Sequence, residues 1–416
     1  MSSSAQPFSR PLTRRDFLRA AGLAGVAGAV GPAALWGDES AGTTELPFEN
    51  GSRPLVKYPQ KRPLIRLTSR PPQLETPFAV FNDELLTPND AFFVRYHLPN
   101  IPTEIDPESF RLEVKGAGGR TLRLSLGDLR SQFEQVEIVA VNQCSGNSRG
   151  FSKPRVAGGQ LGHGAMGNAR WRGVRLKEVL QKADIAPGAK QISFNGLDSA
   201  PVAKTPDFVK ALDIDHALDG EVMLAFEMNG EPLPMLNGYP LRLVVPGYYG
   251  TYWVKHLSEI AVLTEAFNGF WMSGAYRIPD NDGACVAPGT TPHSTVPINR
   301  LNVRSFITSV IDGATIPAGR EIRVRGIAFD GGHGIVQVLF SGDGGRTWME
   351  ASMGNDLGNY SFREWFCTFT PAKPGLVELK VKATNRIGQS QPSDALWNPA
   401  GYMRNVIETV RVNVSA

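Results

Sequence analysis

An α+β domain reaching to about residue 270, followed by a β-sandwich of immunoglobulin type, is the fold the sequence predicts. Three observations predict it. Short apolar runs alternate with turn residues along the chain, which holds 44 Gly and 31 Pro among 416 residues, a density that favours strands and loops over long helices. Helical periodicity is confined to two short stretches. Beyond about residue 300 the turns come closer together, giving about seven strand-like runs in about 115 residues with no helical pattern.

In chain order, residues 1–37 differ from the rest. Thr13-Arg14-Arg15-Asp16-Phe17-Leu18-Arg19 precedes an apolar, Ala/Gly-rich stretch over 20–35. That pattern reads as a twin-arginine export signal. The apolar stretch falls short of the roughly 20 residues a membrane-spanning helix needs, so no membrane span is expected. The twin-arginine route carries folded proteins, which suits a periplasmic enzyme that acquires its cofactor before export. Arg10, Arg14, Arg15 and Arg19 against Asp16 account for the whole formal excess of +3. The remainder is close to neutral, which argues against nucleic acid or an anionic membrane as partner. With 42% hydrophobic and 20% charged residues, the composition excludes wholesale disorder.

Residues 47–77 read as an extended, proline-rich lead. Strand-like runs follow at 110–114, 136–141, 222–226 and 241–245. Residues 176–183 carry apolar side chains at helical spacing, and 205–212 open with an N-cap Thr205 and a Pro206 at the first helical position, so both read as helices. A Gly, Pro and Asn-rich stretch over about 268–299 reads as a linker. Beyond it, runs at 321–329, 335–340, 365–369 and 376–383 alternate with Gly, Asp and Pro turns. The expected organisation is an export signal at 1–37, a catalytic domain at 45–270, a linker at 271–299 and a sandwich at 300–416.

Cys144 carries the chemistry. In Val139-Ala-Val-Asn-Gln-Cys144-Ser-Gly-Asn-Ser-Arg149-Gly an apolar strand delivers one thiol into a polar loop, with an arginine five residues on. A strand end fixes the thiol's direction, and a nearby guanidinium favours thiolate, which binds soft metals or attacks electrophiles. The alternatives are a buried structural cysteine and an Arg149 that caps loop carbonyls. Arg95 and His97 lie two apart in Phe92-Phe-Val-Arg95-Tyr-His97-Leu-Pro-Asn-Ile-Pro102, so an extended backbone puts both on one face together with Phe93. The three cysteines, Cys144, Cys285 and Cys367, leave at least one unpaired, and Cys144 is expected to be it. A disulfide between Cys285 and Cys367 and two independent thiols both remain open. No Cys-x-x-Cys-His occurs, so no c-type haem is expected on this chain, and the six scattered histidines make no zinc-type cluster.

These two segments, with Ala169-Arg-Trp-Arg-Gly-Val-Arg-Leu176 and Met228-Asn-Gly-Glu-Pro-Leu-Pro234, resemble the molybdenum-pterin sulfite oxidase and bacterial periplasmic sulfite dehydrogenase family, from about residue 80 to the C-terminus. The resemblance implies a molybdopterin domain in which Cys144 is the protein ligand of molybdenum. Arg95 and Arg149 would shape the pocket for sulfite, and His97 would orient it. The family's active-site tyrosine falls on Tyr276, with Tyr248, Tyr249 and Tyr252 as alternatives. Phe93, Arg95, His97, Asp198, Asn237, Arg242 and Lys255 fall at cofactor-binding positions. Asn237 stands where animal members carry histidine, and no counterpart of their pocket lysine and tryptophan occurs near 157–161, as in the bacterial branch. Ser341-Gly-Asp-Gly-Gly-Arg-Thr-Trp348 resembles the hairpin of the family's dimerisation domain.

The implied activity is oxidation of sulfite to sulfate, with electrons passing singly to an external c-type cytochrome or haem subunit. A homodimer, or a heterodimer with a cytochrome subunit, is the implied assembly. The alternatives are a related molybdenum oxidoreductase acting on another sulfur oxyanion, a sulfane or a sulfoxide, and an exported binding protein without catalysis.

Overall fold

The protein's structure, a computed structural model, describes residues 39–416 apart from Ala117, Gly119, Arg120 and Ala186. The expected export signal lies outside them. The region read as an extended lead is instead an antiparallel sheet of five strands, Glu39–Glu45, Ser52–Lys57, Leu64–Ser69, Pro72–Glu75 and Val94–Arg95, in sequential order. Its prolines misdirect a compositional reading, since Pro54 and Pro72 sit within strands while Val56, Leu64, Ile65 and Leu74 supply the buried face. The last strand fixes the chemistry that follows. Gln73 pairs with Arg95 and Leu74 with Val94, which anchors the start of the Arg95-to-His97 segment.

Two further sheets build the first domain. One orders Lys210–Asp213, Gln191–Gly196, Leu257–Leu263, Leu112–Lys115 and Thr121–Leu124, with a single parallel pair between Leu257–Leu263 and Leu112–Lys115. The other runs Glu231–Pro232, Met223–Met228, Met166–Arg175 and Gln135–Gln143, and Arg242–Val244 also pairs with Met223–Met228. The strand Gln135–Gln143 begins half exposed and is buried over its last four residues. Its alternation therefore fades as it nears Cys144, as expected of a strand entering a core covered on both faces.

The helix expected near 176 forms at Leu176–Lys182. The one expected over 205–212 does not. Lys210–Asp213 is a strand whose Ile192↔Leu212 and Ser193↔Ala211 pairs bury Ala211 and Leu212, and a four-residue helix follows at Ile214–Ala217. A cap contributes only about 1 kcal/mol, less than burying two apolar side chains in a sheet. A helix at Leu126–Gln132 went unread, although Ser125 and Asp128 form a reciprocal capping box at its start.

The C-terminal part is a two-sheet sandwich. Arg304–Ile307, Ile322–Phe329, Arg363–Phe369 and Ser352–Met353 form one sheet, and Thr315–Pro317, Thr409–Ser415, Gly375–Asn385, Ile335–Ser341 and Met349–Glu350 the other. Val324, Val338, Phe340, Trp365, Leu379, Val381 and Val412 fill the space between them. Gly326 is required where it stands, because a Cβ there would lie 1.9 Å from the Phe306 carbonyl oxygen and 2.5 Å from the Trp365 ring. Phe306, Ile327, Phe329 and Phe362 belong to the core of the first domain, and the described residues from 39 to 416 pack as one compact unit. The stretch read as a linker is ordered, with a short helix at Phe270–Ser273 and a hairpin of Arg277–Pro279 and Thr295–Pro297. Cys144, Cys285 and Cys367 are all free thiols. Among the described residues no helix is long and apolar enough to cross a membrane.

Trp365, fully buried against Phe340, is the largest side chain in the sandwich core. Replacing it with alanine should lower unfolding free energy by roughly 3–5 kcal/mol, read by denaturant unfolding monitored by circular dichroism. A loss under 1 kcal/mol would mean that the sandwich does not depend on this packing.

Candidate active site

The end of the strand Gln135–Gln143, the segment 92–97 and the loops around 198, 237, 250 and 276 line one cavity. Cys144 stands at its wall, 9% exposed. Its N–H donates to the Ala165 carbonyl at 2.9 Å and its carbonyl accepts from the Asn147 N–H at 2.9 Å, so the backbone holds the thiol at the strand end. Phe93, Arg95 and His97 line the same cavity, as the two-residue spacing predicts.

His97 is boxed by rings. It stacks on Phe208 at 3.7 Å between centroids and meets Trp271 edge-on at 5.1 Å. Its Nε2 is hydrogen-bonded to the Tyr276 hydroxyl. Burial, helped by the positive charges of Arg95, Lys255 and Lys210, holds His97 well below its usual pKa, so it is neutral at physiological pH. Tyr276 has a left-handed backbone, φ +58°, which is uncommon for a non-glycine residue. That conformation turns its ring from the former linker into the cavity, where burial raises the phenol's pKa.

A second group of residues supplies charge. Arg242 is buried, donates to the Asn237 carbonyl at 2.8 Å and lies over the rings of Trp171 and Trp253 at 4.8 and 5.6 Å. Burial pushes it down to about 9, leaving it charged at neutral pH. Lys255 lies 4.0 Å over the Tyr96 ring and donates to the Arg95 carbonyl at 2.7 Å. Burial lowers Lys255 and raises Asp198, and each opposes the other's shift. The Asn237 amide donates to the Phe93 carbonyl at 3.1 Å, and its oxygen accepts from buried Lys61 at 2.5 Å. Asp198, Asn237, Arg242 and Lys255 thus all join Cys144 at one cavity.

Arg149 is placed differently from the expectation. It does not line the cavity among the described residues. Its Nε donates to the Ala400 carbonyl at 2.9 Å, and its guanidinium lies 5.0 Å over the ring of Tyr402. Tyr402 in turn stacks parallel on Tyr276 at 5.4 Å, so Arg149 reaches the site through two rings. Tyr248, Tyr249 and Tyr252 do not line the cavity either. Tyr252 donates to the Ile298 carbonyl at 2.5 Å, and Tyr248 stacks on His216.

Sequence reasoning missed Tyr402, Phe208, Trp271, Lys61 and Lys210. Lys210 is fully buried, donates to the Trp271 carbonyl at 2.6 Å and lies over the rings of Tyr252 and Tyr276 at 4.6 and 5.2 Å. Burial pushes it down to about 7. No local pattern marks these residues, because they come from four separate segments, with Phe208 and Lys210 sharing one.

The donor set can be tested against a molybdenum-pterin group. Asn142 Oδ1, Ser145 Oγ, Thr251 Oγ1 and Arg242 Nε are buried without hydrogen-bond partners, and all four residues line the cavity. Unpaired buried polar atoms carry a penalty that a ligand with a polar edge would remove. The surrounding cations suit its phosphate, and a single thiol suits a soft metal held mainly by an organic ligand. Among the described residues no group of three or more His, Cys, Asp or Glu could hold a metal by itself. The residues fit the group: Cys144 would hold the metal, and Arg242, Lys255, Asn237 and Asp198, which line the same cavity, would hold the pterin.

Comparison with known proteins agrees. Residues 97–271 match the oxidoreductase molybdopterin binding domain, and residues 295–415 the Mo-co oxidoreductase dimerisation domain. Sulfite oxidase of Gallus gallus is 36% identical over 367 residues, covering 84% of this chain and 78% of that protein. The mitochondrial sulfite oxidase of Homo sapiens is 35% identical over 388 residues, covering 89% and 69%. The crystal structure of the sulfane dehydrogenase SoxCD from Paracoccus pantotrophus shares the fold, with a TM-score of 0.69 at 22% identity over 94% of this chain and 96% of that one. Identity of this extent, together with a cavity that joins one strand-end thiol to a cationic, unsatisfied polar wall, places the chain in the sulfite oxidase family of molybdopterin-dependent oxidoreductases.

Proposed function

We propose that this chain oxidises sulfite to sulfate in the periplasm and passes the electrons singly to an external c-type cytochrome. The observation that carries the reading is the meeting of Cys144, Arg95 and the His97–Tyr276 pair at one cavity. Sulfite is a small dianion, and a fixed guanidinium is a strong donor to such an oxyanion. In the tautomer of neutral His97 that carries its proton on Nε2, the ring would donate to the Tyr276 oxygen and leave the phenol's own hydrogen free to point at a sulfite oxygen. Arg149 stiffens this wall from behind through Tyr402. Sulfite and water give sulfate, two protons and two electrons. Bound at Cys144, the molybdenum-pterin group supplies the two-electron oxidation. Arg95 keeps the dianion's charge balanced while it is held. The twin-arginine pattern at 13–19 supports export, and the match to a dimerisation domain at 295–415 supports either a homodimer or pairing with a cytochrome subunit.

Purified holoprotein should reduce cytochrome c in a sulfite-dependent manner, and Cys144→Ser should abolish this while retaining the fold, because a hydroxyl is a harder and far less acidic ligand. Turnover with a sulfane or sulfoxide but not with sulfite would move the substrate elsewhere on the same fold.

Arg95→Met should raise the sulfite KM at least about tenfold, the loss of one charge-assisted hydrogen bond, and steady-state kinetics at fixed ionic strength reads it directly. An unchanged KM would remove Arg95 from the substrate.

Tyr276→Phe should slow reduction of the enzyme by sulfite about ten- to a hundredfold, corresponding to roughly 1.5–3 kcal/mol for a bond to a charged group, with molybdenum content intact. Rapid-mixing kinetics isolates that step, and a wild-type rate would assign the hydroxyl no part in it.

A further inference from the structure

A buried ion cluster ties the sandwich to the loop that carries Cys144. Arg304, at the start of the sandwich strand Arg304–Ile307, is fully buried. One guanidinium nitrogen, Nη2, donates to Ser148 Oγ at 3.1 Å and to Glu408 at 3.2 Å. Arg404 holds the same carboxylate with two bonds of 3.1 Å. A guanidinium cannot accept a hydrogen bond, so Ser148 Oγ accepts from Arg304, and the same oxygen is hydrogen-bonded to His163 Nδ1, 2.7 Å away. His163 stacks on Phe151 at 4.4 Å and 8°, and the Arg404 guanidinium lies 5.6 Å from the Phe151 ring centroid.

Ser148 is the critical position. Its backbone is left-handed, φ +69°, which a serine keeps only where its surroundings fix it. It directly follows the hydrogen-bonded turn that runs from Cys144 to Asn147. The Asn147 N–H reaches the Cys144 carbonyl, the Ser148 N–H reaches the Gly162 carbonyl at 2.6 Å, and the Cys144 N–H reaches Ala165 on the same returning segment. A change at Ser148 therefore reaches Cys144 from both sides.

We propose that Arg304 is a positioning residue for Cys144: acting from the sandwich through Ser148, it holds the cysteine loop and sets the direction in which the thiol meets its metal. The C-terminal domain is then part of the catalytic machinery as well as an assembly module. The inference rests on the reading of Cys144 as the metal's ligand, and is independent of which substrate the enzyme takes.

The test uses holoprotein carrying Ser148→Ala, Arg304→Gln or Arg304→Lys. Arg404 still pairs Glu408 when Arg304 is lost, so Arg304→Gln leaves no unpaired carboxylate, and Ser148→Ala removes only one hydroxyl. The first readout is the thiolate-to-metal charge-transfer absorption of the resting protein, taken without substrate. Ser148→Ala and Arg304→Gln should shift that band and lower kcat about tenfold, as loss of a residue supporting a metal ligand does, with KM within about twofold of wild type and molybdenum content unchanged. Arg304→Lys, which can still donate to Ser148, should return the band towards its wild-type position. A band and kcat at wild-type values in both Ser148→Ala and Arg304→Gln, whatever happens to Tm, would reduce Arg304 to a tie between domains and overturn the proposal. Absence of the band in wild-type holoprotein would overturn it together with the role of Cys144. A wild type that shows the band but no sulfite turnover, with the band shifted in the variants, would sustain it and sink only the substrate.

Discussion

Positive charge is gathered beside the cavity with little negative charge to meet it. Lys61, Lys210 and Arg242 are buried, Lys255 and Arg95 lie at the cavity, and among its described lining residues Asp198 is the only acid. Rings and carbonyls do most of the compensating, with Trp171 and Trp253 for Arg242, Tyr96 for Lys255, and Tyr252 and Tyr276 for Lys210. A desolvated cation–π contact returns about 2 kcal/mol, whereas burying an ion costs several. The deficit is what an anionic cofactor and a dianionic substrate offset on binding. The lowered pKa values of Lys61, Lys210 and Arg242, driven first by burial, are the same deficit expressed as proton affinity.

This constraint shapes the backbone as well. A Cβ at Gly250 would lie 2.2 Å from Asn142 Oδ1 and 3.1 Å from the Gln143 carbonyl oxygen, so a larger residue there would displace Asn142, and Gly238, at φ +111°, lets the chain turn beside Arg242 and Lys255. Gly250 itself lines the cavity. The rings that shield the cations also pack the core, so Trp171 touches Phe92 and Trp253 as well as Arg242. Fold and site are consequently built from the same side chains.

The two domains are joined on the same terms. Phe306 and Phe362 bring the sandwich into the first domain's core, while Arg304, Arg404 and Glu408 bring a buried ion cluster to the cysteine loop. Apolar packing supplies adhesion without register. The charged cluster, with its fixed donors and acceptors, supplies the register.

What the sequence by itself determined was whatever a short window encodes. The strand before Cys144, the Arg95-to-His97 spacing and the glycine-punctuated strands of the sandwich depend on local periodicity, and strand pairing preserves local periodicity. Tyr276 was legible through family likeness, and the cavity places it beside His97. The helix expected over 205–212 failed because a cap is a weak local preference and the pairing of Ala211 and Leu212 with the strand Gln191–Gly196 is a tertiary fact. Tyr402, Phe208 and Lys210 became site residues only when distant segments met, and Arg149 was drawn away from the cavity by Ala400 and Tyr402, more than 250 positions along the chain. Tertiary structure alone decided these, because burial and charge compensation are set by which surfaces meet in space, and spacing along the chain carries no record of that.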